Sequence, residues 1–246
     1  MSGQPAPAAV PQGNSTWDFA LAPTQLIQQM GIMLALPQVG IAAALVSFHT
    51  FYHRTAKNKF DAIDIATACL FLATKVEECP RRIRDLLNVR NHLQQKNKGV
   101  PLHEIQPIDI HSQRYGEMRQ RLVRSEREIL KELGFILYSD HPHKYILNYV
   151  RLLTTDTATG AALAQYAWNF LNDSQRTDVC IHFRPEVICC SALWVAARVH
   201  RVKLPSRWWE VFEASRDEMD AVVTKVTSLY SMPPVEDFSP DAAVAS

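Results

Sequence analysis

Apolar residues recur at helical spacing along most of the chain, and alternating strand-like runs are few. Prolines stand where helices would begin or end, so the pattern predicts an all-α protein. The predicted helices span 23–35, 37–53, 61–78, 81–96, 111–133, 141–153, 161–174, 185–201, 205–213 and 216–231. Residues 1–22 and 235–246 have no apolar face, and we expect both to be disordered arms.

The helical pattern restarts after a linker of small polar residues at 154–160. Aligning Ile65 with Ile188 without a gap places small residues on small residues and an aromatic residue on an aromatic residue. A helix rich in small residues lets its neighbours approach closely, as a central helix requires. The sequence therefore predicts a duplicated helical unit. The first repeat with its preceding helix spans 23–153, and the second spans 154–234.

Composition and charge exclude several classes of protein. Twenty-six basic residues against 25 acidic ones leave a net charge of +1, which gives no overall attraction to nucleic acid or anionic membranes. No apolar run is long enough to span a membrane, and no signal peptide is evident. Five cysteines without a CxxC pair suit neither a disulfide framework nor a zinc module. No Gly-rich phosphate loop, HExxH or GxSxG is present, so we expect an intracellular protein without enzymatic activity, metal or other cofactor.

Two charged residues interrupt apolar patterns. Lys75 directly follows an apolar run, and Glu126 shares the 3.6-residue stripe of Leu122, Ile129 and Leu133. An ionised acid buried without a partner is strongly unfavourable, so Lys75 is the candidate cation for Glu126. Alternatives remain open for both residues. Lys75 can be a solvated lysine favoured by a helix C-terminus, and Glu126 an edge residue that touches solvent.

Two other groups of polar residues have competing interpretations. A basic run comprises Arg81, Arg82, Arg84, Arg90, His92, Lys96 and Lys98. Such a run can bind phosphate or act as a nuclear import signal, but interleaved leucines favour the solvated face of a helix. His141 and His143 flank a proline, and without two further ligands at suitable spacing they indicate packing at a helix start rather than a metal pair.

Two segments resemble the signatures of the cyclin family. The segment 71-FLATKVEECPRRIRDLLNV-89 is similar to the Leu-Ala-x-Lys-x-Glu-Glu signature, and 122-LVRSEREILKELGF-135 to the second signature, which carries the glutamate. Within the family, PRRIRDLLNV, KELGF, HPHK at 141–144 and 168-WNFLNDSQRT-177 look most like cyclin L, and 207-RWWEVF-212 is similar to cyclin K. Both belong to the transcription and RNA-processing branch of the family.

The resemblance covers roughly residues 23–232 and carries expectations about fold and site. It implies two tandem cyclin boxes of about five helices each, with an extra N-terminal helix. It also implies that Lys75 and Glu126 lie on the surface that docks a cyclin-dependent serine/threonine kinase, with the lysine reaching kinase backbone carbonyls. The same surface is expected to include Val76, Glu78, Val123, Leu130 and Phe135.

A protein of this kind does no chemistry itself, because it activates the kinase by binding its active arrangement better. We therefore expect a nuclear regulatory subunit that forms a heterodimer with its kinase, acts in RNA polymerase II transcription or pre-mRNA processing, and contacts neither membrane nor nucleic acid directly. The alternative is a nucleic-acid scaffold like transcription factor IIB, which uses the same duplicated unit. A zinc ribbon and a markedly basic second repeat would indicate the scaffold, and this sequence shows neither.

Overall fold

The computed structural model describes residues 18–56 and 59–231, and within these ranges the chain forms helices and no strands. The all-α prediction is confirmed. The α-helices are α1 (Asp18–Met33), α2 (Gln38–Arg54), α3 (Ala62–Val76), α4 (Ile83–Asn97), α5 (Gln113–Glu132), α6 (His143–Leu153), α7 (Thr157–Ser174), α8 (Val179–His182), α9 (Pro185–Val199) and α10 (Arg216–Thr227). Short 3₁₀ helices follow α9 at Trp208–Phe212 and α10 at Ser228–Ser231.

Helix α3 is the centre of the first unit. Its predicted N-cap is confirmed, because the Asp61 carboxylate accepts a 2.8 Å hydrogen bond from the backbone N–H of Asp64. Small buried residues such as Ala66 and Ala68 let α1, α2, α4 and α5 all pack against it. Nearly every side chain of the helix is buried before Lys75, so the chain forms the predicted hub.

Helix α9 has the same place in the second unit. It contacts α6, α7, α8 and α10 as well as the first 3₁₀ helix. Its small residues Cys189, Cys190 and Ala196 are fully buried, as their counterparts in α3 are. The predicted equivalence of α3 and α9 therefore holds in the fold.

Helix α6 differs from its predicted assignment to the first repeat. Ile146 and Val150 are buried in the hydrophobic core of the second unit, where α6 packs on α7 and α9. The predicted linker at 154–160 is also shorter than expected, since the Asp156 carboxylate caps α7 and the helix begins at Thr157. Gly160 is buried there, and a β-carbon on it would lie 3.2 Å from Val150, so α6 packs closely against this first part of α7.

The first helix also begins earlier than predicted. Residues 18–22 belong to α1 rather than to a disordered arm, and Leu21 is buried. Pro23 lies inside the helix, where it removes one backbone donor. The hydroxyl of Thr24 donates to the carbonyls of Ala20 and Leu21 in the preceding turn. The rest of the predicted arms lies outside the described residues.

The predicted helix at 205–213 is wrong in type and length. Only Trp208–Phe212 is helical, as a 3₁₀ segment, and Pro205 precedes it in irregular backbone. Arg207 and Glu213 flank the segment with φ values of 55° and 54°. Left-handed residues at both ends stop the helix from extending.

Polar contacts join the two units along α2. The Gln38 side chain donates to Asn172 at 2.9 Å, and the His49 ring lies 3.0 Å from the Gln175 carbonyl oxygen. Asn172 also contacts His143 of α6, at 3.0 Å, within the second unit. The buried or half-buried bonds of Gln38 and His49 fix the second unit against the side of the first.

Candidate functional site

The packing of α5 against α3 brings Lys75 and Glu126 together as an ion pair, Nζ against Oε1. The Glu126 side chain is only 13% exposed, whereas that of Lys75 is 44% exposed. The carboxylate therefore lies between the helices, and the lysine extends from the end of the hub toward the surface. The predicted pairing is confirmed, which excludes the alternative of two independently solvated residues.

The surroundings of Lys75 suit a positive charge. Its ammonium lies 4.2 Å from the centre of the Phe71 ring, within the range of a cation–π interaction. It also stands in the last turn of α3, where the helix dipole favours a cation. An ammonium has three N–H donors, so the ion pair with Glu126 leaves donors that can bind oxygen atoms of a partner.

Glu78 after α3 and Phe135 after α5 both have a left-handed backbone conformation. Their φ values are 52° and 61°. In each case the chain closes the helix, since Cys79 donates to the carbonyl of Thr74 and Phe135 to that of Leu130. Such conformations cost side chains other than glycine ~1–2 kcal/mol, and strain of this kind concentrates at functional sites. Phe135 is also 73% exposed.

The other predicted residues lie on the same two helices. Val123 and Leu130 flank Glu126 at three- and four-residue spacing and therefore share its side of α5. Val123 is exposed and Leu130 is half-buried against the first core. Val76 is the last residue of α3 and is exposed. We call Lys75, Val76, Glu78, Val123, Glu126, Leu130 and Phe135 the α3–α5 face.

Two exposed apolar side chains beside this face escaped the sequence analysis. Ile136 is 72% exposed and Tyr138 is 82% exposed, whereas Leu137 between them packs on the first core. The signal in the sequence that could have drawn attention to this segment is the run of four apolar residues after Gly134, although such a run does not show which of them are exposed. The segment adds an apolar edge to the end of α5.

The basic run is not one solvated face. Arg90 is buried and forms a 2.6 Å ion pair with Asp64, which is buried in the first turn of α3. Arg81 turns back to the end of α1, where it donates to the carbonyl oxygens of Leu34 and Ala35 at 3.0 Å each. The predicted solvated helix face is therefore wrong for Arg90 and Arg81, because both guanidinium groups stabilise packing between helices.

The histidine pair serves packing, as predicted. His143 begins α6, contacts Asn172 and meets the Trp168 ring edge-on at 4.8 Å between centroids. Within residues 18–56 and 59–231, no group of three or more His, Cys, Asp or Glu side chains could hold a metal ion. None of the helices in these ranges is long and apolar enough to cross a membrane.

Comparison with known sequences gives a consistent result. Residues 22–138 match the cyclin N-terminal domain. The chain is 40% identical over 210 residues to Cyclin-L1-1 of Oryza sativa subsp. japonica, which covers 85% of this chain and 47% of that protein. It is 39% identical over 220 residues to human Cyclin-L1, which covers 88% of this chain and 40% of that protein. The chain thus spans less than half the length of these two relatives.

Solved structures share the fold at lower identity. A chain of the yeast RNA polymerase II CTD kinase CTDK-1 complex superposes with a TM-score of 0.67 and 17% identity, over 86% of this chain and 65% of that chain. A viral cyclin from herpesvirus saimiri gives 0.57 and 12%, over 86% and 83%. The signatures around Lys75 and Glu126, the ion pair that they form and these similarities agree: the chain belongs to the cyclin family and is similar to cyclin L.

Proposed function

We propose that the chain is the activating regulatory subunit of a cyclin-dependent serine/threonine kinase and does no catalysis itself. The observation that carries the proposal is the Lys75–Glu126 pair, in which a lysine at the end of a buried hub is held at the surface by a nearly buried acid. The α3–α5 face around it combines this charge with the exposed side chains of Val123 and Phe135. A surface of this composition suits a protein partner better than a small ligand.

Activation follows from differential binding. In protein kinases a conserved β3 lysine must pair with a glutamate of helix αC, and the position of αC is a two-state element. A subunit that binds the active position more tightly shifts the population toward it by its difference in affinity. The α3–α5 face is the surface that we assign to this contact.

We further propose that the complex is nuclear and acts in RNA polymerase II transcription or pre-mRNA processing. The similarity to cyclin L sequences supports this branch, and the yeast complex whose chain shares the fold is itself an RNA polymerase II CTD kinase. The competing scaffold function, like that of transcription factor IIB, would require direct binding to duplex DNA.

Affinity purification of the tagged chain from its own cells tests the proposal. Mass spectrometry of the eluate should identify one serine/threonine kinase as a major partner, and the eluate should phosphorylate a peptide with the heptad sequence of the polymerase C-terminal domain. Recovery of no protein kinase would refute the proposal. Duplex DNA binding that falls steeply with salt would instead support the scaffold.

A further inference from the structure

A surface groove of about 690 Å³ follows the outer side of α5. Three arginines line it, Arg119, Arg124 and Arg127. The exposed apolar side chains of Ile110 and Val123 line the same groove. The groove thus combines clustered positive charge with a small apolar surface.

The charge of these arginines is largely uncompensated. In the part of the chain that the structure describes, Arg119 and Arg124 form no ion pair, and the contact of Arg127 with Glu128 is at the limit, 4.0 Å. Two further acids lie on α5 near the groove. Glu126 is paired with Lys75, and Glu117 accepts a hydrogen bond from the Gln113 side chain. All three guanidinium groups are exposed and available to a partner.

The groove is continuous with the α3–α5 face. Val123 belongs to both, and Arg119 and Arg127 stand four residues before and after it, on the same side of α5. A partner that covers Val123 and Leu130 therefore also approaches these guanidinium groups. A partner that covers these guanidinium groups removes water from them. If it supplies no anions in exchange, this loss of hydration is unfavourable.

We propose that the arginine groove binds an acidic segment of the kinase that docks on the α3–α5 face. A guanidinium group binds carboxylates through two parallel N–H donors, so clustered aspartates and glutamates are its fitting partners. The groove then selects, among kinases with similar apolar contacts, one whose docking surface carries such acids. This inference rests on the proposed function and adds the chemistry of its partner.

The test compares two triple variants of equal charge. The groove variant carries Arg119→Glu, Arg124→Glu and Arg127→Glu. The control carries Lys98→Glu, Arg151→Glu and Lys203→Glu, which change exposed residues away from α5. Retention on beads of the kinase identified with the wild-type chain is measured from about 0.05 to about 0.5 M NaCl. Thermal melts check that both variants fold. If the groove variant does not fold, the double variant Arg124→Gln, Arg127→Gln is used in its place.

We expect wild-type retention to fall with salt and the groove variant to retain at least about tenfold less kinase at low salt, because it repels the acidic segment. The control should behave like wild type. Equal retention by the groove variant and wild type across the series would overturn the inference and leave the proposed function intact. If the proposed function is wrong, the result is a different one: the wild-type chain itself recovers no kinase.

Discussion

Lys75 and Glu126 form an ion pair but differ in burial, and the exposed lysine limits how much the pair can stabilise the fold. Because Lys75 is 44% exposed, its ion pair is largely screened and stabilises the fold by less than ~1 kcal/mol. The same exposure makes the ammonium accessible to a partner. At the scale of single residues, therefore, the pair positions an exposed ammonium more than it holds the two helices together.

Phe135 is the residue of the α3–α5 face whose exposure is hardest to explain without a partner. We predict that Phe135→Ser leaves the melting temperature nearly unchanged, because the ring is 73% exposed. Recovery of the kinase should fall at least about tenfold, as expected for loss of an aromatic anchor. Val211→Ser in the second unit, where the side chain is 78% exposed, is the matched control and should recover the kinase normally. Equal recovery by the two variants would remove Phe135 from the site.

Arg90, in contrast, forms an ion pair that is buried and contributes to the stability of the fold. Its ion pair with Asp64 is buried, with side-chain exposures of 8% and 10%. Arg90→Ala leaves the carboxylate without its main partner, and we predict a loss of ~3–5 kcal/mol in the free energy of unfolding, measured by urea titration. Arg84→Ala removes an exposed arginine from the same helix and should cost less than ~1 kcal/mol. A similar loss in both variants would mean that the buried pair does not stabilise the fold.

At the scale of elements, the ends of helices were harder to predict from the sequence than their middles. The hub α3 was predictable because its apolar run, small residues and N-cap are all local signals. The early start of α1 and the 3₁₀ helix at Trp208–Phe212 were not, since they depend on the burial of Leu21 and on left-handed residues that no local pattern indicates. The sequence also did not show that α6 packs on the second unit, because the connections before and after this helix allow it to pack on either unit.

Arg81 connects two elements and was predicted to be solvated. Its guanidinium donates to the carbonyls of Leu34 and Ala35, where α1 ends. We predict that Arg81→Ala lowers the free energy of unfolding by ~1–3 kcal/mol, because charged donors are lost from carbonyls at a helix end. Arg82→Ala, one residue along and exposed, should change it by less than ~0.5 kcal/mol. If the two variants unfold at the same urea concentration, the contact is not stabilising.

At the scale of the whole molecule, histidines mark the boundary between the two units. His49 makes a polar contact across it. His143 contacts Asn172, which also accepts from Gln38 across the boundary, and His141 lies two residues before His143. Burial lowers the pKa of all three rings below the ordinary value, since the charged form is poorly solvated there. The duplication itself was readable from the sequence, but these contacts were not, because they join residues far apart along the chain.

The lowered histidine pKa values predict a stability that depends on pH. Below about 6.5 the unfolded chain binds protons that the folded chain does not, so the free energy of unfolding should fall as pH drops from about 7.5 to about 5.5. Asp178 near the boundary has a lowered pKa below this window and should not mask the effect. Thermal melts check the trend, and His49→Gln should weaken it. A melting temperature that stays constant or rises on acidification would contradict the prediction.

The central claim is that the chain activates a kinase through the surface around Lys75, and reconstitution tests it most directly. The kinase recovered with the wild-type chain is separated from it and assayed for peptide phosphorylation alone, with wild-type chain, with Lys75→Glu and with Lys98→Glu. We predict that wild type and Lys98→Glu restore activity. Lys75→Glu should need more than about tenfold higher concentration, since loss of a charged interface contact costs ~2–5 kcal/mol. Full activation by a folded Lys75→Glu variant at wild-type concentration would contradict the claim.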